Sequence, residues 1–193
     1  MKQKTKHTIG ISVFAIMCII VWWSITDDYS VDEQLQQSKK NRYVELFMND
    51  FELTSMDENG KPGYLMTGTH LQRYNNSDIT EVEKPVLHLL QQKKQWLVSA
   101  DSAELNSKND TILLINNVIM QQQNIKPALT MRTKKMMIYT KTQIAQTKVR
   151  VDISQGDSKL NANGMIYNNI SSDLELLSDV SGFYIPYDTA ANE

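Results

Sequence analysis

Residues 112–120 read ILLINNVIM, and this stretch indicates the fold class. Four of its apolar residues, Ile112, Leu114, Val118 and Met120, stand at even positions. Successive side chains of a β-strand point to opposite faces, so these four residues share one face if the stretch is a strand. No long segment of 46–185 keeps the 3.6-residue period of an amphipathic helix, and turn signals such as DENGKPG at 57–63 separate the runs. The pattern predicts an all-β domain.

The pattern of this strand recurs along the chain. Val118, Val149 and Val180 follow one another at intervals of 31 residues, and the same interval relates Ala100, Met131 and Ala162. A period of this length suits two strands and two turns, so each copy is predicted to be an antiparallel strand pair that stacks on the next copy. Four such copies with one apolar face predict a folded, V-shaped β-jelly-roll with an apolar interior.

In the first strand of each pair, the apolar residues switch between odd and even positions near the middle of the strand. In one copy Leu129 and Met131 share a face, whereas Met136 falls on the opposite parity. The same switch separates Ala162 from Tyr167. A β-bulge or corner at the same place in each repeat restores a common face, and we expect one there.

Parity also predicts which residues line the interior. The inward set comprises Val82, Trp96, Val98, Ile112, Leu114, Val118, Met120, Met131, Val149, Val151 and Leu174. An inward apolar residue is a core residue in any β-sandwich, so the pattern leaves open whether this face is a sealed core or a binding cleft.

The N-terminal part of the chain has a different character. Residues 8–26, TIGISVFAIMCIIVWWSIT, contain no charge, and a helix of this length spans about 28 Å, close to the roughly 30 Å of a bilayer core. Lysines at 2, 4 and 6 precede the segment and two aspartates follow it, which predicts a single-pass helix with a cytoplasmic N-terminus. A cleaved signal peptide is the alternative interpretation. The predicted organisation is a cytoplasmic start at 1–7, the span at 8–26, a polar linker at 27–45, the β domain at 46–185 and a tail at 186–193.

Charge and motifs exclude several functions. Lys and Arg total 20 against 22 Asp and Glu, so nucleic acid is not an expected partner. The single cysteine, Cys18, excludes multi-cysteine metal sites, and His7, His70 and His88 belong to no catalytic signature. We therefore expect no catalytic residues, no metal and no cofactor.

Several segments resemble one protein family. They are FMNDFELTSMDENGKPGYLMTG at 47–68, WLVSADSAEL at 96–105, ILLINNVIM at 112–120 and LELLSDVSGFY at 174–184. With the N-terminal span, they resemble the LptC family, the inner-membrane bitopic subunits of lipopolysaccharide export with an OstA-like periplasmic domain. The resemblance implies a protein that receives lipopolysaccharide from the ABC transporter LptB/LptF/LptG and passes it to the periplasmic bridge protein LptA.

The resemblance also implies where these partners bind. Cleft-lining positions of the family fall at Phe51, Val82, Leu174 and Tyr184. The N-terminal edge near 46–55, with Phe47 and Phe51, is expected to meet the transporter, and the C-terminal edge near 173–184, with Val180 and Gly182, is expected to meet LptA. The rival hypothesis is a membrane-anchored β adaptor that binds no lipid and joins two proteins through its edge strands.

Overall fold

The computed structural model describes residues 42–56, 60–90 and 95–185. In these ranges the chain forms β-strands, and no helix there is long and apolar enough to cross a membrane. The predicted span at 8–26, most of the predicted linker and the predicted tail at 186–193 lie outside the described residues.

The described strands follow one another in chain order. They are β1 (Val44–Met56), β2 (Pro62–Tyr74), β3 (Ile79–Glu83), β4 (Val86–Leu89), β5 (Trp96–Ser99), β6 (Ser102–Asn106), β7 (Thr111–Gln122), β8 (Thr130–Tyr139), β9 (Ile144–Gln155), β10 (Ser158–Asn168) and β11 (Asp173–Phe183).

The strands form one antiparallel sheet. β1 pairs with β2, and β7 to β11 pair in succession. Between them, β3 and β4 run along the two halves of β2, while β5 and β6 run along the two halves of β7. The prediction of an all-β fold built from antiparallel strand pairs is confirmed.

The strand paths change direction near their middles. Residues with positive φ stand at these places: Asp50 in β1, Lys84 between β3 and β4, Asn116 and Asn117 in β7, Gly164 in β10 and Asp179 in β11. The pairing registers of β7 to β11 shift there too. We call these aligned positions the bend row. Bulges bend a strand and increase its twist, so the sheet folds over at this row. The predicted change of parity in β8 and β10 is confirmed, because the buried residues of each strand switch between odd and even positions there. The register shifts place the extra residue on the partner strands β7, β9 and β11.

Side-chain hydrogen bonds join neighbouring strands at the bend row. The Asn117 amide donates to the Asp101 carboxylate over 2.7 Å, and the Asn163 amide donates to the Asp179 carboxylate over the same distance. A charged acceptor makes each bond stronger than one between neutral groups. These bonds hold the bulges in register.

The bend row divides the sheet into two halves that face each other. β6 belongs to the first half and β5 to the second, because each pairs with a different part of β7. Trp96 of β5 and Tyr167 of β10 meet across the interior with ring centroids 5.0 Å apart and planes inclined at 66°. The apolar residues of both halves are therefore enclosed between them.

The structure corrects the spacing of the repeat. Val118 pairs with Thr133, Thr133 with Val151, and Val151 with Ala162, so these four residues form one cross-strand row. Val118 therefore corresponds to Val151 and not to Val149. The gapless register of 31 residues is wrong here, because corresponding residues of β7 and β9 lie 33 positions apart on both sides of the bend, as Ile112 and Ala145 also do.

Candidate functional site

The apolar face between the two halves is the candidate site. Ten of the residues predicted to line it are buried, none of them more than 7% exposed: Phe51, Val82, Trp96, Val98, Ile112, Leu114, Val118, Met120, Met131 and Val151. They come from both halves of the sheet and belong to one apolar cluster. Parity therefore predicted the inward face correctly at nine of these positions, and the family resemblance gave Phe51.

Val149 does not lie on the inward face. Its side chain is 40% exposed, between the exposed residues Lys148 and Arg150. The register between β8 and β9 shifts in this region, and a strand that bulges does not alternate its side chains strictly. The sequence pattern placed Val149 inside because its parity matches that of Val151.

Leu174 and Tyr184 are also more exposed than predicted. Leu174 lies opposite the buried Tyr167 and so keeps the inward side of its strand, but it is 37% exposed. β11 has no further strand beside it among the described residues, so nothing there covers Leu174. Tyr184 follows the end of β11 and is 70% exposed.

The sequence pattern missed several interior residues. Met66 and Leu71 of β2, Leu87 of β4 and Met165 of β10 are buried in the same cluster. By parity with Val82, the strand would bury Val86, but Leu87 is buried instead because the positive φ of Lys84 changes the direction of the strand path. Met66 stands between Leu65 and Thr67 in the sequence, so it shows no clear alternation, and no repeat pointed to it.

A polar contact lies inside this apolar face. The indole N–H of Trp96 donates to the phenolic oxygen of Tyr167 over 3.2 Å, and both side chains are buried. Burial raises the pKa of the Tyr167 phenol because the phenolate loses hydration, while hydrogen bonds with Trp96 and Ser172 act in the opposite direction. The phenol is therefore neutral at physiological pH.

β1 forms one edge of the sheet and exposes apolar side chains. Among the described strands, β1 pairs with β2 alone, and Phe47 is 64% exposed. Val44, Leu46 and Met48 beside it are also exposed. Phe51, predicted together with Phe47 to form this edge, instead turns its ring into the core, where it packs against Gly68. The change of side follows the positive φ of Asp50.

β11 forms the opposite edge. Val180 is 53% exposed, and Leu177 and Phe183 are exposed with it. Gly182 lies so close to β10 that an added Cβ would stand 2.2 Å from the Lys159 carbonyl oxygen. Both ends of the sheet thus combine unpaired backbone groups with exposed apolar side chains, which is what an added strand requires.

In the described ranges, no group of three or more His, Cys, Asp or Glu side chains could hold a metal ion. The arrangement found there is an apolar interior with two open edges. Such an arrangement can enclose hydrocarbon or extend a sheet, and both are binding functions.

Comparison with known proteins identifies the family. No curated protein sequence matches the chain. A similar solved structure is the crystal structure of LptH, the LptA homologous periplasmic component of the conserved lipopolysaccharide transport device from Pseudomonas aeruginosa. It shares 7% identity over 73% of this chain and 94% of that chain, with a TM-score of 0.44. The family model described as lipopolysaccharide-assembly, LptC-related matches residues 11–185. Because this match covers most of the sequence, the chain belongs to the LptC family.

Proposed function

We propose that this chain is a membrane-anchored carrier in lipopolysaccharide transport, with no catalytic residues and no cofactor. It holds lipopolysaccharide acyl chains on the apolar face between the two halves of the sheet, with the sugars in water. At roughly 0.8 kcal/mol per CH₂ group, leaving one twelve-carbon chain in water costs on the order of 9 kcal/mol. An enclosed apolar path removes most of that cost.

The observation that carries this proposal is the continuity of the apolar face. The buried cluster runs from Phe51 in β1 to Tyr167 in β10, so it extends almost from one open edge of the sheet to the other. A bound chain can therefore move along the interior without entering water. Membership in the LptC family supports lipopolysaccharide as the cargo.

The two edges give the transfer a direction in this proposal. The β1 edge with Phe47 receives lipopolysaccharide from the LptB/LptF/LptG transporter, and the β11 edge with Val180 and Gly182 passes it to LptA. Strand addition satisfies the open backbone groups of each edge. The segment 8–26 anchors the chain in the inner membrane with its N-terminus in the cytoplasm, and the folded V of the β-jelly-roll lies in the periplasm.

The enclosed interior adds a requirement to this function. Val82, Leu114 and Met131 are no more than 2% exposed, so an acyl chain reaches them only when the two halves separate. Separation breaks the contact between Trp96 and Tyr167, which joins the halves. Carriage therefore involves an opening motion about the bend row.

The same burial favours a second candidate function. If the halves never separate, the interior is a core, and the protein is an adaptor that joins two partners through β1 and β11 without touching lipid. The near-complete burial of Leu114 and Met131 is the observation that supports this adaptor.

Photo-crosslinking separates the two functions. A photoreactive amino acid replaces Val82, which faces inward, or its exposed neighbour Glu81 in a matched control. The full chain is then illuminated in cells during lipopolysaccharide export. A lipopolysaccharide adduct from position 82 and none from position 81 supports the carrier. A folded, transporter-bound protein without an adduct at either position supports the adaptor.

The edge assignment has its own test. Phe47→Arg places a charge on the exposed β1 edge, where the side chain is not part of the buried cluster. We expect the variant to fold normally and to lose co-purification with the transporter while still binding LptA. Val180→Arg on β11 is the matched change, and we expect it to lose LptA and keep the transporter.

A further inference from the structure

The charges of this chain are unevenly distributed. Residues 111–151 contain no Asp or Glu and seven Lys and Arg: Lys126, Arg132, Lys134, Lys135, Lys141, Lys148 and Arg150. The rest of the chain then has 13 Lys and Arg against 22 Asp and Glu. The net charge of −2 averages over this difference and conceals a basic region on β8 and β9.

The structure brings part of this region together at the bend row. On the side of the sheet away from the interior, the cations Arg132, Lys134 and Arg150 line a depression of about 430 Å³. Arg132 lies between the buried residues Met131 and Thr133, so its side chain points outward. We call this the outer depression.

The outer depression holds more positive than negative charge. Its one lining carboxylate, Asp152, lies 3.2 Å from the Nε atom of Arg150. In the part of the chain that the structure describes, neither Arg132 nor Lys134 has a carboxylate within ion-pair distance. Exposed Lys135 and Lys148 stand beside it in sequence and add to the positive potential. Clustered like charges repel one another, and a bound anion relieves that repulsion.

Apolar side chains lie next to these cations. Ile119 and Val149 line the same depression, and both are exposed despite their apolar character. Ile119 pairs with Arg132, and Arg132 pairs with Asp152, so the apolar and charged groups share one cross-strand row. A ligand that fits both has an anionic group and an adjoining apolar part.

We propose that the outer depression binds a phosphate group carried by an amphiphile. Arginine offers a planar fork that matches phosphate oxygens, and lysine adds a point charge. Ile119 and Val149 cover the apolar part beside the phosphate. Two amphiphiles supply this chemistry: an anionic phospholipid of the membrane and the phosphorylated sugar of a glycolipid.

Calorimetric titration tests the proposal on the full chain in a non-ionic detergent. The probes are dihexanoyl phosphatidylglycerol, bisphosphorylated lipid A and inorganic phosphate, each titrated separately. We expect the double variant Arg132→Gln/Lys134→Gln to bind at least one lipid probe about tenfold more weakly, which corresponds to one lost charged hydrogen bond. Lys108→Gln/Lys159→Gln, which removes two exposed lysines elsewhere, is the matched control and should change the affinity less than twofold.

The pattern of losses identifies the source of the phosphate. Weaker binding of lipid A alone indicates a glycolipid, weaker binding of phosphatidylglycerol alone indicates a membrane phospholipid, and weaker binding of both indicates any anionic amphiphile. Equal lipid affinity in both double variants overturns the proposal, as does inorganic phosphate binding as tightly as the lipids. Lipid affinity of the unmodified chain that is insensitive to added salt overturns it too, and this measurement needs no variant. The outer depression is on the other side of the sheet from Val82, so a loss of phosphatidylglycerol binding in Arg132→Gln/Lys134→Gln and lipopolysaccharide crosslinks from Val82 report on different sites, whereas lipid A can bind at both.

Discussion

Trp96 and Tyr167 lie 71 residues apart in the sequence, yet the indole N–H of Trp96 donates to the Tyr167 hydroxyl oxygen over 3.2 Å in the interior. Their rings meet edge to face, a geometry that aromatic pairs prefer. One residue belongs to each half of the sheet. The pair therefore joins the two halves by packing and by a hydrogen bond at once.

Tyr167→Phe removes the hydroxyl and keeps the ring. The buried Trp96 N–H then has no acceptor, so we expect the free energy of unfolding to fall by about 1–3 kcal/mol. Urea unfolding followed by tryptophan fluorescence measures this change. Tyr184→Phe alters an exposed tyrosine and should leave the midpoint where it was. An unchanged midpoint in Tyr167→Phe would mean that the hydrogen bond adds nothing to the contact between the halves.

The raised pKa of Tyr167 predicts a dependence of stability on alkaline pH. A tyrosine whose pKa is higher in the folded than in the unfolded chain contributes stability that is complete below the unfolded pKa near 10. This contribution is lost as the pH rises through the folded pKa. We expect the unfolding free energy of the wild type to fall more steeply above pH 10 than that of Tyr167→Phe. Parallel slopes in urea titrations at several pH values would contradict the assignment.

Val149 and Val151 form a matched pair for testing the bulge in β9. Val151→Asp buries an unpaired charge and should cost about 3–5 kcal/mol of unfolding free energy. Val149→Asp changes an exposed side chain and should cost no more than about 0.5 kcal/mol. Thermal unfolding of both variants measures the difference. Equal losses would show that β9 alternates regularly, as the constant repeat predicted.

Gly182→Ala tests the close approach of β11 to β10. The new Cβ would meet the Lys159 carbonyl oxygen and the Leu160 Cα atom, so the end of β11 must move away. We expect amide hydrogens of residues 181–185 to exchange faster while those of β8 and β9 keep their rates. Ser181→Ala alters the exposed neighbour and serves as control. Unchanged exchange in Gly182→Ala would mean that the two strands adjust without separating.

Much of the interior was predictable because strand alternation is a local property. Ile112 and Leu114 belong to one regular segment of β7, and their parity alone placed them correctly. Val149 and Leu174 failed for different physical reasons. A bulge exposes Val149, and Leu174 is exposed because no strand of the described ranges lies beside β11. Neither the bulge nor the position at the sheet edge can be inferred from the residue type alone.

Other features depend on contacts that sequence patterns do not encode. The pairing of Trp96 with Tyr167 requires both halves of the folded sheet, and neither residue type nor spacing indicates it. The outer depression is a different case. Its cations were visible as a stretch from 111 to 151 without acidic residues, and only the averaging of charge over the whole chain concealed them.

The bend row has a consequence for how proteins of this architecture change in length. The long strands β7 to β11 each consist of two segments that meet at the bend, and the pairing registers shift there. A residue inserted or deleted at a bulge changes only the length of the bulge. The side chains of both segments keep their inward and outward alternation. The same insertion in the middle of a segment would turn its apolar residues outward. We therefore expect length variation among homologous domains to concentrate at the bend row as well as in the turns. The cross-strand pairing of the buried residues should stay the same, while the number of residues between them in the sequence varies.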